Sequence, residues 1–121
     1  MVLRPVASYL GGMSITATIR DWFDREFGGS LQLPDGLYGK PFDNQHSLTQ
    51  VSEVGDETTL VLDELITLRF QGLAGADVRT RDLVLGPFRK LSFTARPYGS
   101  AGNPISAEYD SGEVRIVSAP G

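Results

Sequence analysis

Apolar residues recur at three- and four-residue steps in one stretch of the chain, at Ile15, Ile19, Trp22, Phe23 and Phe27, with Arg20, Asp21, Asp24 and Arg25 filling the opposite side. This spacing predicts an amphipathic helix that starts at Ser14 or Thr16, either of which can cap it, and runs to about Phe27. Gly28-Gly29 supplies the stop, because glycine accepts the left-handed conformation that ends helices. Beyond Gly29 the period changes to two, with turn residues about every eight to twelve positions, which is how an antiparallel β domain reads. Strands are predicted at 31–33, ended by the Pro34-Asp35-Gly36 turn, and at 47–54 and 58–63, flanking Gly55-Asp56-Glu57 as a hairpin. Others follow at 65–70, 77–81, 83–85 and 88–96. A C-terminal hairpin is expected, pairing 105–109 with 113–117 across Asp110-Ser111-Gly112.

The pattern predicts an α+β fold, mostly antiparallel, of about seven strands in a sheet, sandwich or roll, with the single N-terminal helix packed on one face. Its expected core contains Ile19, Trp22, Phe23, Leu62, Ile66, Leu68, Phe70, Leu91, Phe93, Val114 and Ile116. No repeat, low-complexity segment or linker divides the chain, so 13–121 reads as one domain. Residues 1–12 read as an extension that the fold does not need, lying upstream of a second possible start at Met13.

Composition narrows the class. With 121 residues, 40% hydrophobic and 21% charged, the chain is long enough for one core and close to the globular average. It has no cysteine, which removes disulfides, thiolate metal sites and thiol nucleophiles and fits a reducing cytoplasm. No apolar run approaches the ~20 residues that span a bilayer, and the N-terminal dozen lacks the apolar core of a signal peptide. The expected setting is therefore cytoplasmic and off the membrane.

The net charge of −4 is unevenly spread: 21–64 holds ten acidic residues against Arg25 and Lys40, and 69–96 holds six basic residues against Asp77 and Asp82. Either the molecule is bipolar or these charges alternate along strands and coat solvent faces. An acidic chain without a basic, aromatic-interleaved stripe speaks against nucleic-acid binding.

The segment Leu33-Pro34-Asp35-Gly36-Leu37-Tyr38-Gly39-Lys40-Pro41-Phe42-Asp43-Asn44-Gln45-His46-Ser47-Leu48-Thr49 resembles the signature of a family of small uncharacterised bacterial proteins, L-P-D-G followed by G-[RK]-P-[FY]-D-N-x-H-x-L-T. Leu85-Gly86-Pro87-Phe88 and Tyr109-Asp110-Ser111-Gly112-Glu113-Val114 are similar to later pieces of that group, so the resemblance covers about 31–117. It implies a β domain and no activity, ligand or partner.

His46, the sole histidine, follows Asp43 and Asn44 in a turn-rich segment. Histidine can serve as a general base near neutral pH, Asp43 can orient it and Asn44 can donate to an oxyanion. The structural alternative is that Asp43 and Asn44 form an Asx turn while His46 bonds a backbone carbonyl at the strand entrance. One histidine and scattered carboxylates lack the paired spacing of a zinc enzyme, and Asp63-Glu64 read as a turn between strands, so neither metal nor cofactor is expected.

Three functions stay open. The first is a non-catalytic protein-interaction or regulatory domain, an immunity protein if a toxin gene lies beside it, acting as a monomer or small homo-oligomer. The second is a small-ligand binder whose cleft between helix and sheet is rimmed by Tyr38, Asp43, Asn44, His46 and Arg96. The third is a hydrolase using Asp43 and His46.

Overall fold

A computed structural model describes residues 14–26, 28–37, 46–96 and 105–118. The predicted extension, 1–12, lies outside the described residues. The helix α1 spans Ile15–Glu26, and Ser14 is its cap: the Ser14 hydroxyl accepts the Ala17 amide at 3.1 Å. Gly28 follows with φ 111°, the left-handed stop that the sequence predicts. A side chain at Gly28 would strike the His46 carbonyl and one at Gly29 the Val117 carbonyl, so close backbone approach is a second reason for the glycine pair.

The strands are β1 (Gly29–Leu33), β2 (Gly36–Leu37), β3 (Leu48–Val54), β4 (Glu57–Leu62), β5 (Ile66–Gln71), β6 (Ala76–Arg79), β7 (Asp82–Leu85), β8 (Lys90–Ala95), β9 (Ile105–Tyr109) and β10 (Val114–Ser118). That is nine strands of four or more residues, at the nine places where the alternation marks one, and the two-residue β2, against about seven expected in the sheets. All pairs are antiparallel, in two five-stranded sheets with the orders β2-β1-β10-β7-β6 and β3-β4-β5-β8-β9. The fold is α+β, with the N-terminal helix packed on the sheets.

One long bent hairpin joins the two layers. β5 and β8 pair in the second sheet, β6 and β7 continue the same two arms into the first, and the Thr80-Arg81 turn closes the far end. At the bend Gln71 O accepts from Arg89 N at 2.9 Å, Pro87 O from Ala74 N at 2.8 Å and Gly75 O from Gly86 N at 3.1 Å, so the ladder turns the corner with its backbone groups satisfied.

The predicted C-terminal hairpin does not form: β9 pairs with β8 in the second sheet, whereas β10 lies between β1 and β7 in the first. Asp110-Ser111-Gly112 is thus a crossing between layers. Turn residues mark where a chain reverses and say nothing about which sheet receives the next strand. Here Val114 and Ile116 complete the apolar row begun by Leu31, Leu83 and Leu85, and the pleat puts that row inside.

Inward residues of both sheets form one core, with Leu60, Leu62, Leu68, Phe70, Leu91 and Phe93 facing it from the second sheet. Every core residue named from the sequence is buried. α1 adds Ile19, Trp22 and Phe23, and its nearest strands are β3 and β6, one from each sheet. Trp22 stands edge-on to Phe23 at 4.9 Å and donates its indole N–H to Arg81 O at 2.7 Å, which satisfies the buried ring's polar atom. Among the described residues no helix is long and apolar enough to cross a membrane.

Candidate functional site

The hairpin β3–β4 carries residues 46 and 47 back beside the tight turn between β4 and β5, where Asp63 (φ 54°) and Glu64 (φ 61°) both take the left-handed conformation. There the Asp63 carboxylate collects three donors: His46 Nδ1 at 2.7 Å, the Ser47 amide at 3.0 Å and the Ser47 hydroxyl at 3.1 Å. The turn is further tied by Asp63 N to Ser47 O at 3.0 Å and Glu64 N to Thr49 Oγ1 at 2.8 Å. On its other side His46 exchanges backbone bonds with Gly29, linking the start of β1 to the entrance of β3.

A carboxylate on Nδ1 orients an imidazole and favours the tautomer that leaves Nε2 as the acceptor, which is the arrangement a general base needs. Two features work against that use. The His46 side chain is only 9% exposed, and the Ser47 hydroxyl bonds Asp63. As built, the cluster staples three segments of backbone together.

Of the residues expected at a site, Tyr38, Asp43 and Asn44 lie outside the described residues. His46 is at the corner just described. Arg96 is exposed and ends the neighbouring strand, its amide bonded to Leu65 O at 2.9 Å, so its backbone belongs to the same end of the second sheet. A shallow cleft of about 240 Å³ does separate helix from sheet, and among the described residues Phe23, Asp24, Ser47 and Leu48 line it. Sequence reasoning left Asp63 in a turn and missed its bond to His46. Part of the signal was present: a hairpin centred on Gly55-Asp56 sets 47–48 opposite 63–64, and the register shift between Leu48 and Gln50 moves 46–47 into that place.

The sheet edges differ sharply. β3 is partly covered, since α1 packs beside it and Arg20 donates to the carbonyl of its one buried residue, Val51, at 3.0 Å. β9 has β8 as its only strand neighbour among the described residues. Its register places Ile105, Ala107 and Tyr109 on the inward face opposite Ala95, Phe93 and Leu91. Those three β8 residues are buried, yet Ile105 is 51% exposed and Ala107 and Tyr109 are half-buried, so the apolar row continues past the cover of the core. The far end is pinned by the Tyr109 hydroxyl, which donates to Asp35 at 3.0 Å; burial first, then this bond and the Asp35 charge, hold the phenol's pKa above its ordinary value. Beside this end lies an open cleft of about 390 Å³ lined by Gln32, Leu33, Pro34, Gly112, Glu113 and Arg115.

These features define a helix-braced antiparallel β-sandwich whose second sheet has, among the described residues, one edge braced by the helix and one edge, β9, with no further strand beside it. Comparison with protein-family models, curated protein sequences and solved structures returned no match.

Proposed function

We propose that this protein is a non-catalytic interaction domain that receives an extended segment of a protein partner along β9. The observation that carries the reading is the contrast between edges: a helix and an arginine brace β3, whereas among the described residues β9 is a five-residue edge with an apolar row beneath it. Natural sheets blunt such edges with prolines, bulges, inward charges or covering elements, since an unpaired row of backbone groups is a template for another strand. An added strand would gain main-chain hydrogen bonds and close a lid over Ile105 and Ala107.

Selection of extended peptides with alternating apolar and polar residues from a displayed library tests this. Peptides recovered on the native chain should lose binding to Ile105→Lys and keep it on Val54→Lys, Val54 being 78% exposed at the tip of the β3–β4 hairpin. Binders that are indifferent to Ile105→Lys would overturn the reading.

A further inference from the structure

Resting on that reading of β9, we infer that its partner strand is the β9 of a second copy of this chain, paired antiparallel about a two-fold axis at Ala107. An isologous strand pair has its axis normal to the sheet, so directly opposite residues share a face and the axis passes through a residue position. Of the possible centres, Ala107 is the middle of Ile105–Tyr109 and gives the longest match. It sets Ile105 against Tyr109 on the inward face and Ala107 against itself, a β-branched and aromatic pairing of the kind that stabilises adjacent strands.

The charges select the same register. On the outward face Ser106 meets Glu108, and each Glu108 keeps its ion pair with its own Lys90, at 3.3 Å. A centre at Glu108 would set two carboxylates face to face, which is destabilising. A centre at Ser106 would leave Tyr109 without a counterpart. Pairing at Ala107 joins two five-stranded sheets into one continuous sheet and removes both open edges at once. A single strand pair is small beside a standard interface of ~1,600 Å², so the association is reversible and depends on concentration.

The cysteine-free chain makes the register directly testable. In Ala107→Cys the two new thiols come from Cα positions about 4.5–5.5 Å apart, inside the ~4.4–6.8 Å window of a disulfide. Under mild oxidation Ala107→Cys should dimerise about ten-fold or more faster than Val54→Cys at equal concentration, because paired strands raise the local thiol concentration. Adding Ile105→Lys should abolish the advantage, and the unsubstituted chain should show a sedimentation mass that rises with concentration. Equal rates for the two single-cysteine variants would overturn the dimer. If strand peptides then still bind β9, docking at this edge stands without self-pairing; if they do not, both proposals fall.

Discussion

At Asp63 a single carboxylate, 17% exposed, holds the His46 ring and both donors of Ser47 from a backbone position with positive φ. Aspartate suits the place twice: its short polar side chain tolerates the left-handed conformation and reaches local donors. Hydrogen bonds to a charged acceptor are worth more than neutral ones, so Asp63→Ala is expected to lower stability by about 2–3 kcal/mol in urea denaturation. A loss below ~0.5 kcal/mol would mean the three bonds are cosmetic. At this scale the sequence was informative about burial and poor about partners. Core residues such as Leu68 and Phe93 follow from alternation alone, since a period of two fixes which face each occupies. The bond from His46 to Asp63 spans 17 residues and becomes visible only when the hairpin register is followed to its end. Arg20, filed on the polar side of its helix, turns out to cap a strand carbonyl, which no periodicity announces.

Among the elements, helix α1 was the most legible, because its cap, apolar stripe and glycine stop all agree. Hairpins with a turn between strongly alternating runs, such as β3–β4, were equally plain. The crossing from β9 to β10 is not legible from the sequence, because its turn residues are those of a hairpin and the choice of sheet is made by packing. The β6–β7 turn holds Thr80 at φ 62°, an unfavourable conformation for a β-branched residue. Left-handed strain in a non-glycine residue costs ~1–3 kcal/mol, and glycine returns part of that, ~0.5–1 kcal/mol, as chain entropy. Thr80→Gly should therefore stabilise the protein by about 0.5–2 kcal/mol, seen as a raised urea midpoint with an unchanged slope. A lowered midpoint would show that the Thr80 side chain contributes more than its backbone costs.

For the whole molecule, the lopsided linear charge is largely cross-paired among the described residues. Folding brings the basic block onto the acidic one: Arg81 pairs with Glu26 at 2.9 Å, Arg69 with Glu57 at 3.3 Å, and Arg89 with Asp56. On the outer face of the first sheet, Arg79 reaches Glu113 at 3.7 Å and Arg115 reaches Asp82 at 3.1 Å. The register puts both pairs around Val84, whose side chain points away from the core and is nevertheless buried. Arg115 stands directly opposite Val84 in the register, so these charges sit on a buried apolar residue and belong to the architecture.

The same pairing sets a pH response at Glu26. The Ser118 hydroxyl, at 2.7 Å, and the Arg81 guanidinium hold its carboxyl below the ordinary value of 4.5. A depressed folded pKa contributes stability that is fully present above about 4.5 and lost as pH falls through the lowered value. The stability difference between the native chain and Glu26→Gln should therefore be largest above that pH and shrink on acidification. A difference that stays constant from neutral to strongly acid pH would contradict the role given to these bonds.

The proposed function requires that β9 be the edge where a polypeptide strand docks. Amide hydrogen exchange, read residue by residue with and without a selected strand peptide, tests this most directly, since an added strand protects the amides it bonds. Protection should rise within 105–109 and stay unchanged across 48–54 and 76–79. Protection that rises on β3 or β6 while 105–109 exchanges as before would place the docking edge elsewhere and contradict the account.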